Sequence, residues 1–529
     1  MKKWLKRIAI VLVVILAIPL ITVAYWMKGP NRSYRIDYVI DGGATPNDEP
    51  LLVGAAMRDI TPPFEEYEPW TDANDDSRFN PEDGDTYVDT NGNGRPDLVW
   101  LGGFAGNRPA TGVHDPLWTR VIAMKYGGAT IAIVSIDSVG ITHEQFIAIR
   151  KSLDPALGLV HVMFSTTHTH SGPDTMGIWS NSNDVPGLFL GRNFDDENME
   201  RIRVMTRDAI HEAVRKLEPA EMVCAQAEIE PEGFVRDSRD PQVPDRLVTM
   251  ARFVRQWTDD TIATMVSWGN HPEVLNDKNT LITSDFPFYL RDGVEYGVMD
   301  PNGAEGFGGM CMFLQGACGG LMTPLNIEVP HRDGEKVFKE SDFAKSQALG
   351  ENLALLTLNT LRGETAWKEE NPRIGVAAKT IFAPLGGVFK YAIMLGAVHP
   401  GYFWGKARTE VNVIRIGDLE ILAVPGEIYP EIIDGGVEQP EGADFDIAPI
   451  ETPGLRTLMQ GRVNMVVGLA NDEIGYIVPK SQWDVEAPYA YEKEKAQYGE
   501  ENSGGPETAP VVYRELVALM ERLHGTPRE

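Results

Sequence analysis

Apolar runs rich in β-branched residues recur through this chain and alternate with amphipathic helical stretches. A strand repeats every two residues and a helix every 3.6, so the two patterns can be told apart in the sequence. We predict strands at residues 51–56, 129–136, 161–165, 261–268, 310–314 and 411–424, and helices at 199–217, 341–361 and 509–523. Such alternation is typical of an α/β fold. With no fixed-period repeat and no Gly/Ser linker in the body, we expect a single large mixed-sheet domain over residues 51–529.

The amino-terminal residues have the character of a membrane segment. Four basic residues precede an apolar run at 8–26, which as a helix would be about 28 Å long, close to the thickness of a bilayer core. The end of the run lacks the small residues of a cleavage site, which favours an uncleaved anchor at residues 1–27 over a signal segment. The positive charges place the amino terminus inside. We therefore expect a body outside the cytoplasmic membrane, or a secreted one if the segment is cleaved, with a linker at 28–50.

Charge and cysteine content exclude several classes of partner and site. The chain has 48 basic and 77 acidic residues, a net charge of −29, which would repel a nucleic-acid backbone. Its three cysteines, Cys224, Cys311 and Cys318, are too few for a disulfide scaffold and lack the spacing of a thiolate zinc site. Nucleic-acid binding is therefore not expected, and the sequence leaves the oligomeric state open.

An acidic, turn-rich stretch contains the front half of a calcium-loop pattern. Asp89, Asn91, Asn93 and Asp97 occupy positions one, three, five and nine, and a glycine occupies position six. Position twelve is Trp100, where a full loop carries a bidentate glutamate. A bound Ca²⁺ and a solvated acidic turn both fit this pattern.

Polar side chains follow several of the predicted strands. His168 and His170 follow the strand at 161–165, His271 follows the strand at 261–268, and Glu427 and Tyr476 lie in two later segments of the same kind. Sites in α/β folds are assembled at the carboxyl ends of strands. A shell of imidazole, carboxylate and phenol groups suits Zn²⁺, although a pair of hydrogen-bonded structural histidines also fits the first segment.

These segments resemble the neutral or alkaline, non-lysosomal ceramidases, zinc amidohydrolases that cleave the N-acyl bond of ceramide. The resemblance rests on six stretches in the same order: Val53 to Pro62, Gly112 to Arg120, His168-Thr-His170-Ser-Gly-Pro173, Asn270-His271-Pro272, Pro425-Gly-Glu427, and Gly468 to Tyr476. It implies that His168, His271, Glu427 and Tyr476 are zinc ligands. It further implies that His170 orients the substrate or exchanges protons with it, and that Arg236 contacts the reacting group.

Two departures bear on the substrate. Ceramidases carry a Gly-Asp-Val-Ser-Pro-Asn segment with a critical serine, whereas this chain has Gln315-Gly-Ala-Cys-Gly-Gly-Leu-Met-Thr323-Pro. Thr323 can replace that serine, or water activated by the metal can be the nucleophile without it. The chain also extends only a short way beyond Tyr476, so we expect no immunoglobulin-like carboxyl-terminal domain.

The resemblance thus predicts a zinc-dependent amidohydrolase acting on ceramide-like lipids. Two alternatives remain: an envelope zinc hydrolase with a nonlipid amide or ester substrate, and a catalytically inactive protein of the same fold.

Overall fold

The computed structural model describes residues 17, 31, 33–42, 49–181, 194–299, 301–386, 390 and 406–525. All residues of the predicted anchor at 1–27 except Ala17 lie outside the described residues, and so do residues 28–30, 32 and 43–48 of the linker at 28–50. Within the described part of the chain, no helix combines the length and the apolar character needed to cross a membrane.

Thirteen main strands and five main helices make up the described body. Numbered in chain order, the strands are β1 (Asp37–Asp41), β2 (Leu51–Asp59), β3 (Trp118–Tyr126), β4 (Ala129–Ile136), β5 (Leu159–Thr166), β6 (Glu218–Glu228), β7 (Leu247–Arg255), β8 (Thr261–Trp268), β9 (Met310–Gln315), β10 (Ile374–Pro384), β11 (Lys406–Ile416), β12 (Leu419–Ala423) and β13 (Val463–Val467). The helices are α1 (His143–Ser152), α2 (Asp196–Arg215), α3 (Phe286–Tyr296), α4 (Phe343–Arg362) and α5 (Thr508–His524).

The predicted elements are confirmed with small shifts at their ends, apart from two differences. The run at 411–424 is not one strand, because a turn at residues 417–418 folds it into the antiparallel hairpin of β11 and β12. The predicted linker at 28–50 also contributes a strand, since β1 pairs with β10. The apolar pattern alone did not separate a hairpin from one long strand.

The main strands form two sheets. The order of the large sheet is β9-β8-β7-β6-β2-β3-β4-β5, and that of the small sheet is β1-β10-β11-β12-β13. Neighbours run antiparallel in both sheets except for three parallel pairs: β4 with β5, β8 with β9, and β12 with β13. The mixed sheet predicted from the sequence is confirmed.

The two sheets pack face to face between outer helices. Apolar side chains from both sheets, including Val53, Met124, Ile414 and Met465, form the core between them. Helices α2, α3 and α4 cover the outer face of the large sheet, and α5 covers the outer face of the small sheet. The body is therefore a four-layer helix–sheet–sheet–helix arrangement.

The carboxyl ends of the three parallel pairs meet at one edge of this sandwich. The amide of Gly468, after β13, donates to the carbonyl of Gln315 at the end of β9, at 2.8 Å. The amide of Asn471 donates to the carbonyl of Phe164 in β5, at 2.9 Å. These cross-connections join all three pairs, and the polar segments that follow their strands converge on the same place.

Candidate metal centre

The loop after β5 brings His168 and His170 side by side. His168 has a φ of +66°, a conformation that is uncommon for a residue with a Cβ, so the segment is not the continued strand that would have aligned the two rings. Their Nε2 atoms nevertheless lie 3.4 Å apart. The Nδ1 of His168 contacts the carbonyl oxygen of Val139, which fixes the direction of its ring.

His271 enters the same space from the end of β8. Its backbone amide and its Nδ1 lie 3.0 and 2.6 Å from the carbonyl oxygen of Met322. This double contact turns its Nε2 toward Glu427, whose Oε2 lies 2.9 Å away. His271 is 2% exposed, so its contacts are with protein groups.

Glu427 and Tyr476 reach the centre from two short parallel strands, Glu427–Ile428 and Tyr476–Ile477. The Oε2 of Glu427 lies 3.6 Å from the Nε2 of His168, and the hydroxyl of Tyr476 lies 3.5 Å from the Nε2 of His271. Both side chains are buried. All four side chains that the resemblance implies as ligands therefore meet in one buried cluster, together with His170.

The spacing and chemistry of these donors fit a small metal ion. Neighbouring ligand atoms of a tetrahedral zinc with bonds of about 2.0–2.1 Å lie about 3.3 Å apart. The measured separations between the nitrogen and oxygen atoms of the cluster run from 2.9 to 3.6 Å. Imidazole nitrogens with a carboxylate oxygen and a phenol oxygen form a donor set that zinc accepts.

The charges of the cluster are strongly coupled. Although burial opposes ionisation, the facing His168 and His271 rings hold the pKa of Glu427 well below its usual range. Burial likewise disfavours a charged His168, but the Glu427 carboxylate outweighs it and raises the pKa of His168 to about 9. Burial lowers the pKa of His170 to about 4 even though Glu273 is close. The centre thus combines an ionised Glu427 with a neutral His170, and His168 must release its proton before its Nε2 can bind a cation.

Glu273 is a site residue that sequence reasoning missed. Its Oε2 lies 3.1 Å from the Nδ1 of His170, and its Oε1 accepts a hydrogen bond of 2.5 Å from the hydroxyl of Thr323. The side chain is 9% exposed, which is unusual for a carboxylate without a partner. Its place two residues after His271 was the available signal.

The loop at residues 102–108 was also missed, and it encloses His170. Phe104 meets the ring edge-on, with centroids 4.9 Å apart, and the Arg108 guanidinium donates to the carbonyl oxygen of His170. A Cβ placed on Gly103 would lie 2.3 Å from the Cγ of His170. The backbone of this loop therefore lies directly against the imidazole, as only a glycine permits.

Thr323 and Arg236 lie on two short strands that pair with each other. The short strands Arg236–Asp237 and Met322–Thr323 pair antiparallel, with Arg236 opposite Thr323. Thr323 is buried and joins the cluster through Glu273, whereas the side chain of Arg236 is exposed. Among the described contacts, no hydrogen bond or ion pair links Arg236 to the imidazoles, and its connection to the cluster is the backbone pairing with Thr323.

The glycine-rich turn after β9 packs closely against its neighbours. The amides of Gly316 and Gly319 donate to the carbonyl oxygens of Trp268 and Ile428, at 3.0 and 2.9 Å. Both amides are thus engaged within the protein, and the turn serves close packing. Cys318 within it is fully buried, and burial holds the pKa of its thiol well above the usual value. Its sulfur nevertheless lies within 4.8 Å of donor atoms of His271 and Glu427.

The calcium-like loop is compact and lies apart from this cluster. Asp89 accepts from the amides of Gly92, Asn93 and Gly94, and the Asn91 and Asn93 side-chain amides both donate to Asp97, at 2.6 and 2.7 Å. These contacts satisfy the carboxylates from within the loop. Calcium binding at these four side chains stays a prediction.

Comparison with solved structures places this arrangement in a known fold. The crystal structure of neutral ceramidase from Pseudomonas aeruginosa superposes with a TM-score of 0.60 at 16% identity, covering 91% of this chain and 75% of that one. A ceramidase complexed with C2 also superposes with a TM-score of 0.60, at 15% identity over 91% of this chain and 76% of its own. The fold is that of neutral ceramidase.

At this level of sequence identity, the similarity to the ceramidase structures shows a shared fold. No family model matches the chain, and no curated protein matches it. The ceramidase fold agrees with the resemblance drawn from the sequence motifs, and the buried cluster of histidines and Glu427 lies where the motifs of that resemblance converge.

Proposed function

We propose that this protein is a zinc-dependent amidohydrolase that cleaves N-acyl amides of the ceramide class. The observation that carries the proposal is the convergence of His168, His271, Glu427 and Tyr476 at 2.9–3.6 Å in a ceramidase fold. A metal-dependent hydrolase requires a cation that neutral and anionic protein groups hold and that the substrate can reach.

In this proposal the four side chains hold the zinc, and backbone carbonyls hold the histidines. When bound, zinc supplies Lewis-acid activation of water and of the scissile carbonyl. The carbonyls of Val139 and Met322 accept from the Nδ1 atoms of His168 and His271, which leaves each Nε2 free to face the cation. Two of the ligands are thus oriented before the substrate arrives.

Thr323 and Arg236 have different parts in this scheme. The hydroxyl of Thr323 donates to Glu273 and accepts from the amide of Leu325, at 3.0 Å. Because that hydroxyl is engaged in holding Glu273, we propose water as the nucleophile. Arg236, exposed beside Thr323, is proposed to stabilise the oxyanion with its fixed positive charge.

The proposed cellular location follows from the sequence alone. We propose that residues 1–27 anchor the chain and that the hydrolase body, residues 51–529 together with β1 of the linker, lies outside the cytoplasmic membrane. Fractionation of cells tests this, because recovery of the uncleaved chain in the cytosolic fraction would contradict it.

The test of function uses purified full-length protein loaded with zinc. N-acylsphingosine, a nonlipid N-acyl amide and a simple ester are offered in parallel, and we expect release of the sphingoid base and fatty acid from the first. His271→Ala should abolish this release, and His211→Gln, a change distant in sequence from the proposed ligands, should preserve it. Cleavage confined to the nonlipid substrates would overturn the lipid assignment, and zinc-loaded protein inactive on all three would overturn the enzyme assignment.

A further inference from the structure

We propose that the large cavity between the segment at residues 63–100 and the first turn of α2 binds an organic ammonium cation. The cavity has a volume of about 1070 Å³, and volumes of about 300–1,000 Å³ are typical of small-molecule sites. None of the four proposed zinc ligands lines it. The site therefore does not depend on the proposed function.

Carboxylates outnumber cationic side chains on the wall of this cavity. The carboxylates are Glu66, Glu68, Asp97, Asp195, Asp196 and Glu197, and the cations are Arg95 and Arg201. Burial, together with the nearby Asp195 and Glu197 carboxylates, raises the pKa of the Tyr67 phenol, which agrees with a negative potential in the cavity. Such a wall attracts a cation.

The amino-terminal end of α2 lies on this wall and would by itself attract an anion, because it is the positive end of the helix dipole. Here Asp195 caps the helix by accepting from the amide of Asn198, at 2.9 Å. Asp196 and Glu197 follow in the first turn. These three carboxylates offset the helix dipole, so the cavity favours a cation over an anion.

Asn198 presents an unused hydrogen-bond acceptor on the cavity wall. Its side chain lines the cavity and is 4% exposed, and its Oδ1 has no hydrogen-bond partner within the described part of the chain. Leaving a buried polar atom without a partner is costly. A ligand with N–H groups would satisfy this atom, and a primary ammonium has three N–H donors and no acceptor.

Aromatic rings form another part of the wall. The buried Phe79 ring meets Tyr87 and Trp100 edge-on, with centroids 6.0 and 6.1 Å away. All three line the cavity, and Tyr87 and Trp100 are half-buried. The face of an aromatic ring attracts an ammonium ion, and its carbon surface packs against apolar groups. The wall thus suits an amine that also has an apolar part.

The loop at residues 102–108 connects this wall to the metal centre. The amide of Phe79 donates to the carbonyl oxygen of Asn107, at 2.8 Å, and Gly103 of the same loop lies against His170. Amide hydrolysis at the metal centre would release an amine, which is protonated at neutral pH. The ligand therefore has two sources, the amine product of the proposed reaction or an amine from the surroundings.

The experiment measures binding by calorimetry on purified full-length protein in excess calcium, so that the calcium-like loop is not the site being titrated. The probes are octylammonium, its neutral counterpart octanol and its anionic counterpart octanoate. We expect octylammonium to bind at least about tenfold more tightly than either, because only octylammonium carries a positive charge.

Three variants locate the site. Asn198→Leu removes the buried acceptor and should weaken octylammonium binding about tenfold. Glu66→Gln combined with Glu197→Gln removes two carboxylates of the wall and should weaken it about threefold or more. Glu65→Gln is the matched control, because Glu65 is exposed beside Glu66 but does not line the cavity, and it should leave binding unchanged.

Octylammonium that binds no more tightly than octanol would overturn the inference, and so would binding that neither Asn198→Leu nor the double variant weakens. Because Glu66 and Glu197 are exposed, the double variant keeps the test decisive if Asn198→Leu fails to fold.

Sphingosine and spermidine, titrated in the same way, distinguish the two sources. Tighter binding of sphingosine would identify the amine product, and tighter binding of spermidine an amine from the surroundings; either result supports the ammonium site. Octylammonium binding by a protein that hydrolyses no amide or ester would overturn the proposed function alone.

Discussion

Glu427 and Tyr476 face each other directly as partners in a two-residue parallel ladder. Because paired residues of neighbouring strands project to the same face, this register delivers a carboxylate and a phenol to the metal centre together. Two segments far apart in the sequence thus supply adjacent donors, and the predictions that follow depend on this geometry.

The zinc content should depend on both histidines that lie next to Glu427. We expect about one zinc per chain, as for a mononuclear site, and strong loss in His168→Ala and His271→Ala, since each removes a nitrogen donor beside Glu427. Elemental analysis of the purified variants measures this. Full zinc in both would show that the ion lies elsewhere.

Loss of the Thr323 hydroxyl should slow hydrolysis only modestly. Thr323→Val removes the hydrogen bond to Glu273 at nearly constant volume, and with water as nucleophile we expect kcat/KM to stay within about tenfold, or about 1.4 kcal/mol. Steady-state hydrolysis of N-acylsphingosine is the measurement. A fall of several orders of magnitude with zinc still bound would make Thr323 the nucleophile.

A methyl group on Gly103 should displace His170. Gly103 has a φ of +100°, and the added Cβ would lie 2.3 Å from the Cγ of His170, so both strain and overlap oppose Gly103→Ala. We expect at least a tenfold loss of kcat/KM, on the order of 1.4 kcal/mol. Gly128→Ala is the control, because a Cβ added there would have no neighbouring atom within 4 Å; equal activity of the two variants would refute the enclosure of His170.

The buried ion pair of Arg150 and Glu410 should matter far more for stability than an exposed pair. Arg150 contacts both oxygens of Glu410, at 2.6 and 2.8 Å, and Glu410 is fully buried. Arg150→Met leaves that carboxylate uncompensated, at a cost of about 3–5 kcal/mol.

Lys339→Met is the matched control for this change. Its partner is Glu328, and the two side chains are 65% and 60% exposed, so we expect a loss of no more than about 1 kcal/mol. Urea unfolding of the two variants gives the comparison. Similar losses of unfolding free energy in the two variants would mean that burial of the ion pair does not determine the cost of removing its positive partner.

His161 should make the free energy of unfolding fall in acid. Burial lowers its pKa to about 4, below the value of about 6.5 expected in the unfolded chain. The unfolded chain therefore binds the extra proton first, and stability is lost as the pH falls from about 6.5 to about 4.

His161→Gln, which keeps a polar group between Tyr38 and Asn412, removes this contribution. We expect its unfolding free energy to fall less steeply than that of the wild type between pH 7 and pH 5, as measured by urea titration at each pH. Parallel curves for the two proteins would show that the pKa of His161 is the same in the folded and the unfolded chain.

The sequence by itself determined the strands and helices and identified the main side chains of the metal centre. Strands β4 and β8 begin and end at the predicted residues, because a buried β-branched run bounded by turn residues is a local signal. The histidines, Glu427 and Tyr476 were identifiable because each follows or lies near such a run.

The tertiary structure decided the hairpin of β11 and β12, the three parallel pairs and the partners of His170. Glu273, Gly103 and Arg108 carry no local pattern that marks them, and they join the centre only because separate loops pack against one ring. Secondary structure is fixed largely by neighbours in sequence, whereas a metal centre is fixed by distances between atoms from segments far apart in the chain. Those distances depend on how the two sheets pack, which residue spacing does not encode.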